Sequence, residues 1–260
     1  MDVILRCRVQ LPRRPAESGL VSRRLRMSLP RIVQNETLDH LSQNDPRAIH
    51  SRRDLQRLNR IMGSKFIMLH ALRHAGIPAP KRVLELGAGD GTFMLALAQS
   101  LSHKWRGVQL GLLDRQNLVT PHTLQAFRKL GWHPEIIQQD VLDWSVQPHA
   151  DSWDLVLANL FIHHFEGEAL QQLLGAISVR GNAFVACEPR RSRFALSSSR
   201  MVGLLGANEV TQEDAVLSVQ AGFYKRELSS LWPHKYRSWN LHECEAGLFS
   251  HCFVAVKAAN

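Results

Sequence analysis

A glycine-rich segment, residues 85–91, carries the clearest chemical signal in this sequence. It reads Glu-Leu-Gly-Ala-Gly-Asp-Gly and follows a short apolar run. Glycines at such a point let the backbone turn tightly and approach a ligand closely. Their spacing is G-x-G-x-G, whereas a pyrophosphate-binding fingerprint reads G-x-G-x-x-G, and residue 92 is Thr92. The spacing therefore disfavours a dinucleotide, while a plain tight connection between a strand and a helix stays open as an interpretation.

Polar residues also end three later apolar runs. Asp114 comes 23 residues after the last glycine of the segment, Asp140 ends the next run, and Asn159 ends the one after it. A carboxylate at the position of Asp114 can accept both hydroxyls of an adenosine ribose, although a turn or helix-capping aspartate explains it equally well. At Asp140 and Val141, an acid and a small apolar side chain can flank an adenine ring. Turn chemistry alone does not readily explain four polar strand ends, so the pattern favours a ligand site.

Two histidines follow the last of these runs. His163 and His164 stand four and five residues beyond Asn159. The unperturbed pKa of a histidine lies near neutral pH, so either imidazole can take a proton from a phenol or an enol. We predict that His163 assists deprotonation of an acceptor. His164 is the second candidate, and its alternative role is to shape the pocket or to cap the next helix.

The elements that must position these residues are read from the apolar pattern. Short strand-like runs occupy residues 82–86, 108–114, 134–140, 154–159 and 182–187, with helical stretches between them. This alternation predicts βαβ units, hence a parallel sheet with a ligand site at the carboxyl ends of its strands. Upstream, apolar residues at spacings of three and four predict one amphipathic helix from Asp54 to Leu72. Downstream, residues 190–220 are expected to be irregular or helical, and Leu248–Lys257 is expected to form an antiparallel edge strand.

Over residues 80–257 the sequence resembles the class I methyltransferases that depend on S-adenosylmethionine (SAM). Residues 85–91 match the first motif of that family, Asp114 the second and Asp140 the third. Residues 154–165 look like the fourth motif of its small-molecule enzymes, which include quinone-biosynthesis enzymes and bacterial methyltransferases associated with type III polyketide synthases. The resemblance implies an α/β fold with a doubly wound, mostly parallel seven-stranded sheet, N-terminal helices and a helical insertion after the fifth strand.

The same resemblance implies SAM as the cofactor and assigns residues to it. The implied cofactor-binding residues are Glu85, Gly87, Ala88, Gly89, Asp114, Arg115, Asp140, Val141 and Asn159. The first four would hold the methionine part of SAM. Asp114 would accept hydrogen bonds from the ribose and Arg115 would lie against the adenine. Asp140 would meet the adenine amino group, and Asn159 would line the opening toward the sulfonium.

The resulting hypothesis is an enzyme that transfers a methyl group from SAM to an oxygen or carbon atom of a small phenolic, polyketide-like or quinone-like acceptor. Two alternatives stay open: a catalytically silent SAM-binding protein and an NAD(P)-dependent oxidoreductase. The glycine spacing disfavours the oxidoreductase. A nucleic-acid adenine methyltransferase would carry two prolines after the fourth strand, and residues 159–162 lack both. A metal-dependent catechol enzyme would place carboxylates there, so no metal is expected.

The length and net charge of the chain limit its domain organisation and the kinds of partner it can bind. The 260 residues carry a net charge of +9, and residues 1–35 contribute +6 of it through eight arginines and two acids. The rest of the chain is nearly balanced, which disfavours a nucleic-acid partner. We expect residues 1–35 to be a basic leader, disordered or foreign to the native protein. Residues 36–260 are expected to form the methyltransferase domain, with helices over 40–76 and a core over 80–257.

Compartment and assembly follow from composition. The four cysteines lack metal-ligand spacing and indicate reduced thiols, which predicts a cytoplasmic location. No apolar run reaches the roughly 18 residues that a membrane span needs. The expected partner is a small-molecule acceptor, and a homodimer stays open as the form of assembly.

Overall fold

A seven-stranded sheet forms the centre of the chain, whose computed structural model describes residues 29–148, 152–233 and 239–258. The strands are β1 Arg82–Leu86, β2 Gln109–Asp114, β3 His133–Gln138, β4 Leu155–Asn159, β5 Ala183–Pro189, β6 Trp239–Ala246 and β7 Ser250–Lys257. The helices are α1 Pro46–Met62, α2 Ser64–His74, α3 Thr92–Leu101, α4 Pro121–Lys129, α5 Val141–Val146, α6 Gly167–Arg180, α7 Arg193–Ser199, α8 Glu209–Ala221 and α9 Glu227–Leu231. Short 3-10 helices cover Thr37–His40, Ile162–His164 and Val202–Leu205.

The strand order is β3-β2-β1-β4-β5-β7-β6. The first five strands pair in parallel, and β7 lies antiparallel between β5 and β6. This confirms the predicted mostly parallel α/β sheet. The prediction that the last strand forms the edge was wrong, because β6 takes that place. Every residue from Ser250 to Ala255 is buried, as expected for a strand with neighbours on both sides, whereas most of β6 is at least partly exposed.

Helices cover both faces of the sheet. On one face α2, α3 and α4 enclose a core that includes Met68, Leu97 and Phe127, all buried. On the other face α5, α6 and α9 enclose a second core that includes Leu173 and Trp232, both buried. Strands covered on both sides bury every side chain, which explains why β4 and β5 read as continuous apolar runs in the sequence.

The N-terminal helical region consists of two helices, so the prediction of one helix from Asp54 to Leu72 was wrong. α1 begins after Asp45, whose carboxylate accepts a hydrogen bond from the backbone N–H of Arg47 at 2.8 Å. Gly63 ends it with a φ of 70°, in the left-handed region, and α2 begins at the next residue. The apolar spacing continues across this glycine, which is why the pattern alone conceals the break.

Residues 29–40, named here the N-terminal strap, pack on the domain ahead of α1. The Arg31 guanidinium donates to the carbonyl oxygens of Ala221, His163 and Phe165 at 2.8–3.0 Å and lies over the Phe223 ring. The predicted leader, residues 1–35, therefore extends too far: its residues 29–35 belong to the folded domain. Its first 28 residues lie outside the described residues.

Cysteine chemistry and membrane topology complete the description. Cys187 and Cys252 are free, buried thiols, as the prediction of reduced thiols expects for these two residues. In the described part of the chain, no helix combines the length and apolar character that crossing a membrane requires.

Candidate active site

A cavity of about 400 Å³ opens at the carboxyl ends of β1, β2 and β4. The strand order reverses between β1 and β4, and open α/β sheets bind ligands at such a switch point. The walls come from the strap, α1, the glycine-rich loop, the loop after β4 and the insertion that follows β5. The predicted residues on the wall are Glu85, Gly87, Ala88, Gly89, Asp114, Arg115, Asn159, His163 and His164.

The glycine-rich loop leaves β1 in a conformation that few other residues would permit. Gly87 has a φ of 66°, and a Cβ atom there would lie 2.2 Å from the Phe161 ring. The backbone N–H of Ala88 donates to the Leu113 carbonyl at 3.0 Å, and that of Gly89 donates to the Asp114 carboxylate at 2.8 Å. These hydrogen bonds hold the loop against β2 and leave its backbone exposed to the cavity.

Three acidic side chains surround this loop. Glu85 is buried, and its Oε2 has no hydrogen-bond partner among the described residues. Burial raises the pKa of Glu85 well above its ordinary value, and the charges of Asp90 and Asp114 add to the shift. Burial also raises the pKa of Asp114, although the N–H groups of Gln116 and Gly89 partly offset it. The arrangement provides an unsatisfied acceptor in a negative field, suited to a cation.

Two of the predicted residues, Asp140 and Val141, do not line the cavity. The Asp140 carboxylate accepts a hydrogen bond from the Leu142 N–H at 2.8 Å, so it caps the N-terminus of α5. Val141, the first residue of that helix, is buried in the core. An aspartate that ends a strand and begins a helix satisfies the helix N–H groups first, and this capping role explains its identity without a ligand.

Arg115, which follows β2, and Asn159, which ends β4, both donate hydrogen bonds at the cavity wall. The Arg115 guanidinium donates to the Asp39 carbonyl oxygen at 2.8 Å, which ties β2 to the strap. The Asn159 amide donates to the Asn59 side chain of α1 at 3.1 Å. Both residues therefore connect the sheet edge to the N-terminal elements that cover the cavity.

Glu188, at the end of β5, holds the loop after β4 in place. Its carboxylate accepts hydrogen bonds from the backbone N–H groups of Phe161, Ile162 and His163 at 3.0–3.3 Å. Leu160 precedes these residues with a φ of 52°, which is strained for a leucine. The three hydrogen bonds to a fully buried carboxylate support that conformation and direct the histidines inward.

His163 lies between two carboxylates. Its Nδ1–H donates to Glu188 at 2.7 Å, and its Nε2 is 3.5 Å from Oε1 of Glu36. Burial by itself lowers the pKa of His163, but its hydrogen bond to Glu188 and the nearby negative charge of Glu36 outweigh this effect and raise the pKa to about 9. A protonated imidazole cannot accept a proton, so the geometry argues against the predicted base role of His163.

His164 has the opposite electrostatic environment. Burial lowers its pKa, and the neighbouring charge of His163 lowers it further. Its Nδ1 lies 3.6 Å from the carboxylate of Asp39. His164 is therefore the neutral imidazole of the pair, with lone-pair density available to a proton or a metal ion.

Sequence reasoning missed the acids that flank the histidines. Glu36 comes from the strap, and Ser218 of α8 donates a hydrogen bond to it. Asp214, one turn earlier in α8, accepts from the N–H groups of Thr37 and Leu38 at 2.8 and 3.0 Å. Glu188 could have been found as the polar residue near the end of the fifth strand, by the criterion that identified Asp114. Nothing in the local sequence marks Glu36.

Comparison with known proteins supports the architecture. No protein-family model matches the chain, and no curated protein matches its sequence. Among solved structures, the plantazolicin methyltransferase BamL is similar with a TM-score of 0.56 and 12% identity, over 85% of this chain and 93% of BamL. A candidate O-methyltransferase from Nostoc punctiforme has a TM-score of 0.50 and 19% identity, over 80% of this chain and 59% of its own. An O-methyltransferase family protein from Burkholderia thailandensis has a TM-score of 0.45 and 14% identity, over 69% of this chain and 52% of its own.

At these identities the likeness shows the fold. This chain has the Rossmann-like, mostly parallel sheet of class I methyltransferases, and its cavity lies at the sheet edge where that fold binds ligands. It spans little more than half the length of the Nostoc and Burkholderia proteins.

Proposed function

We propose that this chain is a SAM-dependent methyltransferase that acts on a small-molecule acceptor. The observation that carries the proposal is the buried carboxyl of Glu85, whose Oε2 has no hydrogen-bond partner in the described part of the chain, beside the glycine-rich loop and Asp114. SAM presents an ammonium group and a ribose with two hydroxyls, which match these two acids. The similar protein BamL is described in complex with S-adenosylhomocysteine, which is consistent with such a ligand at this sheet edge.

The residues present fit the cofactor on physical grounds. Glu85 would accept a hydrogen bond from the ammonium group, and the positive charge would stabilise its ionised form. Asp114 would accept from the ribose hydroxyls with the lone pairs that the backbone N–H groups leave free. Gly87 and Gly89 would let the ligand lie directly on the backbone. SAM itself supplies an activated methyl group, so the protein must mainly align the acceptor and exclude water.

The acceptor would lie against the wall formed by the insertion and the histidines. Val202 and Leu205 provide apolar surface there, and Glu36, His163 and His164 provide polar groups. This combination suits a phenolic, polyketide-like or quinone-like molecule with one hydroxyl or acidic carbon to be methylated. A catalytically silent SAM-binding protein would need the same cofactor residues, and only turnover distinguishes it from an enzyme.

Two titrations test the proposal. Isothermal titration of the full chain with SAM should give stoichiometric binding, whereas NAD should give none. Incubation of the chain with SAM and a small-molecule extract, followed by mass spectrometry, should reveal a product in which a methyl group replaces one hydrogen, so that its mass rises by one CH2 unit. Binding of NAD in preference to SAM would overturn the proposal, and SAM binding without any methylated product would favour the silent binder.

A further inference from the structure

Three side chains with metal-ligating atoms meet at the acceptor end of the cavity. One ligand atom from each of Glu36, His163 and His164 can be chosen so that all lie within 4.8 Å of one another. We name these residues the His-Glu cluster. They come from the strap and from the 3-10 helix after β4, and all three line the cavity. Two imidazoles and one carboxylate form a common donor set for divalent transition metals.

We propose that the His-Glu cluster binds a divalent first-row transition-metal ion of the Zn²⁺ or Mn²⁺ class. The Nε2 atom of His163 is buried and has no hydrogen-bond partner among the described residues. It faces Oε1 of Glu36 at 3.5 Å, which is longer than a hydrogen bond. Two ligands at about 2.1 Å from one ion stand about 3–4 Å apart, so an ion fits between these two atoms.

The groups behind the cluster orient it as a metal site requires. Glu188 is fully buried and accepts from Nδ1–H of His163, which directs Nε2 toward Glu36. A carboxylate behind a ligating histidine is the usual support of such a ligand. Ser218 holds the Glu36 carboxylate in the same way by donating a hydrogen bond to it. The ion would replace the proton on Nε2, while the Nδ1–H bond to Glu188 stays in place.

His164 completes the donor set. One ligand atom from each of the three side chains lies within 4.8 Å of the other two, close to the spacing of two ligands on one ion. Asp39, with its carboxylate 3.6 Å from Nδ1 of His164, lies beside the cluster but is not part of it. Because the cluster lines the cavity, the remaining coordination position faces the acceptor. That last step rests on the proposed function, whereas metal binding itself does not.

Metal titration of the full chain tests the site without any acceptor or turnover. The chain is stripped with EDTA, desalted and titrated with Zn²⁺ and with Mn²⁺ alone by calorimetry, and Co²⁺ binding is followed by visible absorption. We expect one tight equivalent of metal. His164→Ala and Glu36→Gln should each weaken it at least about tenfold, and Ser218→Ala by about 10–100-fold. His163→Ala is left out of the test, because it would leave Glu188 buried without its partner and would destabilise the fold.

A matched control separates this site from weak binding to other histidines. His70 and His74 lie side by side on α2 with ring centroids 3.9 Å apart and form an alternative pair of histidine ligands on the same chain. His70→Ala should leave the tight equivalent and the Co²⁺ spectrum unchanged. No stoichiometric binding, or equal loss in His70→Ala and His164→Ala at unchanged melting temperatures, would overturn the proposal. Failure of SAM to bind would leave this result untouched, so the two proposals fail separately.

Discussion

At the scale of single residues, two aspartates that look alike in the sequence differ in environment. Asp114 faces the cavity, and its two oxygens accept hydrogen bonds from the backbone N–H groups of Gly89 in the glycine-rich loop and of Gln116 in its own loop, while Asp140 caps α5 outside the cavity. Asp114 is the last residue of β2, and Asp140 follows β3 of the same sheet by two residues. The sequence cannot distinguish them, because a helix N-cap and a ribose acceptor require the same carboxylate at the same point of a βα unit.

This pair yields a direct comparison. Asp114→Ala should weaken SAM binding at least about a hundredfold, because it removes two charge-assisted hydrogen bonds of about 1.5–3 kcal/mol each. Asp140→Ala should leave SAM affinity within about threefold and cost only about 1 kcal/mol of stability through the lost cap. Calorimetry and thermal melts measure both quantities. Equal losses of affinity in the two variants would refute the assignment of Asp114.

Glu85 makes the ligand-free protein sensitive to pH. Its pKa in the fold is raised by burial, so its contribution to stability is present below about pH 4.5 and is lost as the pH rises toward the folded pKa. Glu85→Gln removes the titration and keeps the shape. The melting temperature of the variant relative to the parent should therefore rise between pH 4.5 and 7.5, while its SAM affinity falls at least about tenfold.

The exposed Glu135 on β3 provides the control for that experiment. Glu135→Gln should give a melting profile parallel to that of the parent at every pH. If Glu85→Gln also runs parallel to the parent, the carboxyl of Glu85 is not the group that the fold desolvates. A raised SAM affinity in the same variant would show that the ammonium group does not meet this side chain.

At the scale of elements, the βαβ core could be read from the sequence and the N-terminal helices could not. Each core strand is an apolar run bounded by polar or glycine residues, and burial on both faces makes that signal local. The break between α1 and α2 depends on one residue, Gly63, within an uninterrupted apolar pattern. A single left-handed residue changes the chain direction without changing the periodicity that sequence reasoning measures.

The two helices give a prediction about Gly63. Gly63→Ala has open space around the new methyl group but keeps a φ of 70°, so it should destabilise the fold by about 1–2 kcal/mol through backbone strain alone. Gly175 of α6 offers the matched change, since a Cβ there also meets nothing within 4 Å and its φ lies outside the left-handed region. Gly175→Ala should stabilise by about 0.5–1 kcal/mol. Denaturant unfolding of both variants checks the opposite signs.

At the scale of the whole molecule, the site depends on contacts between distant parts of the chain. Arg31 reaches Ala221, 190 residues away, and the carbonyl of His163, 132 residues away. Glu36 and Glu188 approach His163 from an earlier and a later part of the sequence. No local pattern contains such pairings. The environment that gives His163 its raised pKa was therefore beyond sequence reasoning, although the position of His163 on the cavity wall was predicted.

The strap leads to the last prediction, which compares two shortened chains. A chain that begins at Met27 keeps every contact described for residues 29–40, whereas one that begins at Leu41 loses them. Because both lack residues 1–26, their difference isolates the strap. The shorter chain leaves the carbonyls of His163 and Phe165 without Arg31 and removes Leu38 and Asp39 from the cavity wall. We expect its melting temperature to be about 5–10 °C lower, from several hydrogen bonds of about 1 kcal/mol each, and its SAM affinity to fall at least about tenfold.

Arg31→Ala in the full chain should reproduce part of the thermal loss and little of the affinity loss, because Arg31 does not line the cavity. Equal melting temperatures and equal SAM affinities for the two shortened chains would show that the strap contributes neither to the stability of the fold nor to SAM binding.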